Sequence, residues 1–313
     1  MTTPTDPTPT DPTPTDPRPT TSRPTSAHVA VVTLVRGRRE HLVRQQRSLS
    51  RGTVLPGQWV VVAMGDPDLD DFEPREGVRP TVVHVDADPA SLPLAAARNA
   101  GAEHALARGA RVLVFLDVDC LAGTHLVAAY DAAVTDDPDV VWSGPVTYLP
   151  AGLDEEQLAT PWTLDSPHPA RAMPPPGQHL LGAPPELFWS LSFALSGSAW
   201  QRTGGFCEDY VGYGGEDTDF GMLVVERGLE HGWLGDARAY HQHHPTQSPP
   251  VQHLEAVLRN GRVFRRRWGW WPMTGWLEAF EERGLLVREG DDWRLVDADE
   301  RAGGGAAVDE HAT

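Results

Sequence analysis

Apolar and polar positions along this chain alternate between two regimes. The stretch His28–Val35, HVAVVTLV, is a β-branched run, and the Arg-rich REHLVRQQRSL that follows it suits a helix. Two further apolar runs, Trp59–Ala63 and Thr81–Val85, flank the turn-rich GDPDLDDFEPREG. A helix over Leu92–Arg108, a fully buried strand over Val112–Leu116, a helix from about Thr124 to Val134 and a strand over Val140–Trp142 continue the pattern. Strand and helix in turn predict an α/β domain, a mostly parallel sheet with helices on both faces.

Between Pro145 and Pro185 the periodicity dissolves into prolines, Trp and His. That texture reads as an ordered substrate loop or lid, with a disordered insertion as the competing reading. Regular structure resumes at SLSFALSGSAW, a strand that passes into a helix at Ser196 or Ser198. A Gly-rich turn at Gly204–Phe206 follows, then a helix over Asp217–Arg227 and a final core strand over Trp233–Tyr240, with His241 at its end. Beyond it, Leu254, Val257, Leu258, Phe264 and Trp268 form a helical stripe against an Arg face. A second short helix includes Trp276, Leu277 and Phe280, and LLVREGDDWRLV reads as a closing hairpin.

Composition trims the folded part. Residues 1–26, with a recurring TDPTP unit, cannot bury enough surface to offset ordering entropy and are expected to be a disordered, extended tether. Residues 297–313 read as a flexible acidic tail, leaving a catalytic domain over 27–245 and helices with a hairpin over 246–296 packed on it. Of the formal net charge of −18, the two tails carry about −1 and −4, so roughly −13 remains on the body, and a broad nucleic-acid surface is excluded. All 26 basic residues are Arg, which excludes a Walker-type phosphate loop. Any phosphate must be met by guanidinium, backbone N–H, helix termini or metal. Cys120 and Cys207 are too few for a disulfide scaffold, and there is no leader-like segment or membrane-length apolar run, so a cytoplasmic protein is expected. Trp268, Trp270 and Trp271 beside Arg265–Arg267 either pack on the core, meet the inner membrane face peripherally or stack on an acceptor sugar.

Candidate chemistry gathers at three places. In FLDVDC a buried strand runs into Asp117-Val118-Asp119, and strand alternation puts both carboxylates on one side at the carboxyl end of the sheet, where open α/β folds bind ligands. Such a pair suits a divalent cation that neutralises a diphosphate, with turn and capping carboxylates as the bland alternative. In GGFCEDYVGYGGEDTDFG, Glu216, Asp217 and Asp219 follow Gly212, Gly214 and Gly215 and open a helix; one helix cap needs fewer acids, and one carboxylate can serve as general base. In AYHQHHP, His241 continues the buried strand and is the favoured third metal ligand, while His243 and His244 read equally well as a solvated turn.

Taken in order, VVTLVRGR, Ala97-Arg98-Asn99, Asp117-Val118-Asp119, Gly204-Gly205-Phe206, GYGGEDTDFG and Tyr240-His241-Gln242 resemble the GT-A glycosyltransferases. The likeness is to the family 2 group whose C-terminal part is similar to the galactosyltransferase C-terminal domain, and it covers about residues 28–245. The resemblance implies that the Asp117–Asp119 DXD motif holds a divalent metal, Mn²⁺ favoured and Mg²⁺ the alternative, through Asp119 with His241. It further implies a nucleotide-sugar donor approached by Thr33, Arg36, Arg98 and Asp117, a general base at Asp217 and a hydroxyl-holding carboxylate at Glu216. The acidic residue usual just after the second strand falls here within Ala63-Met64-Gly65-Asp66, so Asp66 or Asp86 would read the nucleotide base. A UDP-sugar is favoured, with GDP and dTDP donors open, and the acceptor would be a carbohydrate or glycoconjugate hydroxyl. The rivals are a metal-dependent sugar nucleotidyltransferase and a non-catalytic carbohydrate-binding protein.

Overall fold

The β-branched runs pair as their two-sided burial demands. A computed structural model describes residues 23–74, 77–245 and 247–297. The first half comprises β1 (Thr25–Val35), α1 (Arg39–Ser50), β2 (Leu55–Met64), β3 (Thr81–Val85), α2 (Leu94–Ala107) and β4 (Val112–Leu116). β1 lies parallel between β2 and β4, with Val31 opposite both Trp59 and Val114, and β3 continues the parallel set beyond β2. Side chains alternate across the strands. Val31, Trp59, Val114 and Leu116 pack with Leu42 and Tyr130 on one face, and Ala30, Val32 and Phe115 pack with Ala102, Trp200 and Phe220 on the other.

The second half adds β5 (Cys120–Ala122), α3 (Leu126–Asp136), β6 (Val140–Ser143), β7 (Val146–Tyr148), α4 (Glu155–Ala159), β8 (His179–Leu181) and β9 (Ser192–Ser196). There follow α5 (Gly197–Thr203), α6 (Glu216–Glu226), β10 (Glu230–Leu234) and β11 (Ala239–His241). The main sheet runs β3-β2-β1-β4-β9-β6-β10-β8, a mixed α/β sheet that is mostly parallel. β9 is antiparallel to both neighbours, and Leu116 at the end of β4 faces Ser192 at the start of β9. The residues just before β9 therefore reach the same end of the sheet as Asp117, whose N–H bonds the Leu191 carbonyl at 3.0 Å.

One expected strand divides in two. Trp233 and Tyr240 are both buried, but β10 belongs to the main sheet and β11 to a small sheet ordered β5-β11-β7. The break is a turn at Gly235–Arg238, where Asp236 accepts the Gly177 N–H at 2.6 Å and a Cβ on Gly235 would lie 2.4 Å from the Pro174 carbonyl oxygen. The Pro145–Pro185 stretch is ordered, supplying β7, β8 and a short helix closed by an Asp154–Gln157 capping box. α7 (Leu254–Trp268), α8 (Thr274–Glu282) and the hairpin β12 (Leu286–Glu289) and β13 (Asp292–Leu295) form a satellite core around Val257, Leu258, Leu277, Phe280, Leu286 and Trp293. β1 already begins at Thr25, paired with Leu55, within the residues read as tether; the rest of that tether and of the acidic tail lie outside the described residues, apart from Arg23, Pro24 and Asp297.

Candidate active site

The carboxyl end of β4 does not continue as a strand through the Asp-Val-Asp triplet. The Cys120 N–H bonds the Asp117 carbonyl at 2.8 Å and closes a turn, so the alternation expected to align the two carboxylates fails and each meets its own set of partners. Buried Gln45 on α1 fixes this turn, donating to the carbonyls of Asp117 at 2.7 Å and Cys120 at 3.0 Å. Its amide oxygen accepts from the Thr33 hydroxyl at 2.9 Å, which itself accepts from the Trp59 indole at 3.1 Å. Thr33, expected beside the donor, is thus spent inside the core: it props the turn.

Asp119 lies in a candidate cation-holding group with His241 and His244. β11 pairs His241 with Cys120, and the Gln242 N–H bonds the Asp119 carbonyl at 2.6 Å, so strand pairing brings His241 beside the turn. Asp119 Oδ1 lies 3.5 Å from His241 Nε2 and Oδ2 lies 3.3 Å from His244 Nε2, and one ligand atom from each of the three residues falls within a 4.8 Å group. Burial opposes ionisation of Asp119, but the hydrogen bond from His244 and the charges of His241 and Arg38 outweigh it and hold the carboxyl at about 2. Burial lowers His241, favouring neutral imidazole, and pushes the Cys120 thiol well up. An ionised carboxylate and a neutral imidazole are the forms a hard or borderline divalent cation takes, so the donor set fits one. His244 was legible only as the second half of a His-x-x-His spacing; exposed His243 takes no part. Arg38, which pairs with Asp119 Oδ2 from a left-handed backbone (φ 49°), is a further site residue that no periodicity marks.

The acids cluster around Arg98. This buried guanidinium stands 3.7 Å from Asp117 Oδ1 and 3.7 Å from Glu216 Oε1, donates to the Ser190 hydroxyl and lies over the Phe206 ring at 5.0 Å. Asp217 Oδ2 accepts the Ser190 N–H at 3.0 Å, while Oδ1 has no hydrogen-bond partner among the described residues. Burial and the neighbouring Asp217 push Glu216 up to about 7, and burial, offset by Arg98, does the same to Asp117. A raised native pKa means that the folded state binds the extra proton, so this contribution to stability falls as pH climbs from the ordinary 4.5 towards 7. Glu216→Gln is therefore expected to melt higher than the parent at pH 8, with the gap closing by pH ~5 in thermal melts. A gap that is constant across that range would contradict the assignment.

Asp219, grouped by sequence with these acids, plays another part. It accepts from Tyr210 at 3.0 Å, Arg267 at 2.6 Å and Trp268 at 2.7 Å, and so ties α6 to α7. α7 also holds the loop that enters α6: Asn260 donates to the Gly214 carbonyl at 2.9 Å and Arg259 donates to that of Val211. Gly214 and Gly215 have φ of 94° and 91°, and a Cβ on Gly214 would meet Met273 Sδ at 2.7 Å. Most of the C-terminal aromatic segment is spent in this packing; Trp271 bonds the Asp291 carbonyl, and of its three Trp residues only Trp270 stays exposed.

The remaining donor-side residues gather at the ends of β1–β3. Arg36 donates to the carbonyls of Met64 at 2.9 Å and Gly65 at 2.8 Å, and Asp66 accepts the Gly37 N–H at 2.6 Å. Asp86 follows β3 and is exposed. A cavity of about 940 Å³ lies elsewhere, at the amino end of β4 beside His28, Asp131 and Ser196, and contains none of these groups.

Comparison with known proteins bears on the fold. A crystal structure of S. aureus TarS 1-349 in complex with UDP-GlcNAc superposes with a TM-score of 0.52 at 12% identity, over 82% of this chain and 77% of that one. The chain has the GT-A glycosyltransferase fold. The same TarS region in complex with UDP superposes on the GT-A chain with a TM-score of 0.50 at 12% identity, covering 75% of it and 64% of TarS 1-349. Residues 183–245 match a family model described as the N-terminal domain of galactosyltransferase; in this GT-A chain they run from after β8 through β11 and include Glu216, Asp217, His241 and His244. Validoxylamine A glucosyltransferase of Streptomyces hygroscopicus subsp. limoneus is 28% identical over 230 residues, 65% of this chain and 50% of that protein. The chain thus spans about half the length of the curated relative it matches.

Proposed function

We propose that this protein is a divalent-metal-dependent, inverting glycosyltransferase that moves a sugar from a nucleotide-activated donor to a hydroxyl of a carbohydrate or glycoconjugate. The observation that carries this reading is Asp217, with one carboxylate oxygen pinned by the Ser190 N–H and the other free of protein partners, next to the cluster that adjoins the Asp119 site. UDP-sugars are the favoured donors, a choice supported by TarS having been crystallised with UDP and with UDP-GlcNAc.

In this mechanism Asp119, His241 and His244 would hold the cation. When bound, Mn²⁺ or Mg²⁺ supplies charge neutralisation for a diphosphate leaving group. Asp217 Oδ1 takes the proton of the acceptor hydroxyl as that oxygen bonds to the anomeric carbon and the bond from carbon to diphosphate oxygen breaks. Attack from the face opposite the leaving group inverts the anomeric configuration. Arg98 holds Asp117 and Glu216 in place, and Glu216, raised to about 7 by burial, donates a hydrogen bond to a sugar hydroxyl in its protonated form. Tyr213, 41% exposed and stacked with His253 at 4.7 Å and Trp276 at 5.7 Å, offers an aromatic surface next to Glu216 for the acceptor ring.

The test is a screen of UDP-, GDP- and dTDP-sugars with Mn²⁺, read by thermal shift and by nucleoside diphosphate release with and without acceptors. Absence of stabilisation by every donor would sink the proposal, and pyrophosphate release from a nucleoside triphosphate and a sugar phosphate would favour the nucleotidyltransferase instead. Asp119→Ala is expected to abolish Mn²⁺ binding in calorimetry and His244→Ala to weaken it by at least the roughly 10-fold that loss of even an outer-shell partner costs. Unchanged affinity in His244→Ala would remove that residue from the set.

A further inference from the structure

Arg171, between β7 and β8, has no part in the chemistry above, yet its environment demands one. The residue is 7% exposed, and Nε and both terminal nitrogens are buried without a hydrogen-bond partner among the described residues. Its guanidinium lies 5.2 Å from the ring centroid of Trp189 and 4.7 Å from that of Trp233. Those rings stabilise a cation through their faces but offer nothing to accept its five N–H groups. An interior guanidinium with every donor unmet is strongly destabilising unless an anion or ordered water meets it. Nearby His231 adds no second positive charge: burial, then Arg171 itself, lowers it to about 3, so it is neutral.

The position of Arg171 narrows what the anion is. Trp189 precedes Ser190, whose N–H holds Asp217. His168 stacks edge-on against Trp189 at 5.1 Å and against Tyr148 at 5.8 Å, and Tyr148 lies 4.7 Å from His241. A continuous aromatic wall therefore runs from His241 to Trp189, the neighbour of the residue whose N–H holds Asp217, and Arg171 lies against its Trp189 end. Trp189 and His168 are partly exposed, so the wall is not sealed. The planar fork of a guanidinium matches a carboxylate through two parallel hydrogen bonds.

We propose that Arg171 anchors a carboxylate subsite, placing an acidic sugar, of the hexuronic acid class, between Asp119 and Asp217. The location on the transferred sugar rests on the glycosyltransferase reading; the anion site itself does not. The test compares the parent protein with Arg171→Met, which keeps side-chain length without charge. UDP-glucuronic acid and UDP-glucose are titrated in Mn²⁺ by calorimetry, and D-glucuronate and D-glucose alone are compared by thermal shift. The parent is expected to bind UDP-glucuronic acid about 10-fold or more tighter than UDP-glucose, in line with one charge-assisted bidentate contact. Arg171→Met should lose that preference, keep UDP-glucose binding and melt, unliganded, no lower than the parent. A parent without preference, a variant that retains it, or an unliganded variant that melts lower and loses both donors would overturn the proposal, the last marking Arg171 as a structural clamp on two Trp rings. A preference confined to acidic acceptors would overturn its placement on the donor sugar. If neither donor binds but D-glucuronate still stabilises the parent and not the variant, the glycosyltransferase reading fails and the anion site stands.

Discussion

Asp217→Asn is expected to lower the rate of sugar transfer by roughly 10²–10⁴-fold, the usual contribution of a positioned general base, while donor affinity stays close to that of the parent. The reason is local. An amide oxygen still accepts the Ser190 N–H, so the loop before β9 and the start of α6 keep their places, but the free oxygen that would receive the proton is gone as a base. Single-turnover transfer and calorimetric titration of a UDP-sugar separate the two effects. Full transfer by the Asn variant would move the base elsewhere in the cluster, with Glu216 the next candidate.

The second large effect concerns stability. Asp219→Ala removes the shared acceptor of Tyr210, Trp268 and Arg267 from a position that is 1% exposed. The phenol and indole would each be left unmet at about 1–3 kcal/mol, whereas Arg267 reaches water and adds little. A loss of about 2–6 kcal/mol is expected, a fall in melting temperature of roughly 4–24 °C. Because α7 also holds the Gly214 carbonyl through Asn260, kcat should fall with stability even well below the new melting point. An Ala variant that melts within about 1 °C of the parent would show that these bonds hold nothing together.

The inner parallel strands were legible because β1, β2 and β4 are buried on both faces over most of their length and so read as unbroken apolar runs, as Val112–Leu116 does. The reversed direction of β9 was not: Ser192–Ser196 has the same apolar texture, and direction is set by which strand edges remain open. Asp119, His241 and Glu216 emerge where their flanking patterns put them, at the ends of predicted strands or the start of a helix. Thr33 misled because a hydroxyl near a strand end faces the cleft or the core according to a parity that the sequence leaves open, and here it faces Gln45. Asp219 misled because helix periodicity turns it away from Asp217, two residues earlier, towards partners on α7, a segment whose docking no local pattern reveals. Arg171 stood out in no motif, since what marks it is the absence of a partner inside the folded protein.

The pairing of β11 with β5 has a kinetic consequence. Asp119 and His241 meet only through a strand contact that spans the chain from Cys120 to His241, a long loop whose closure entropy must be met before the contact forms. During synthesis the carboxylate half of the proposed cation site emerges well before its imidazole half. The site is therefore expected to be among the last parts of the domain to mature, and a cation added during refolding would capture the closed strand pair and slow its reopening.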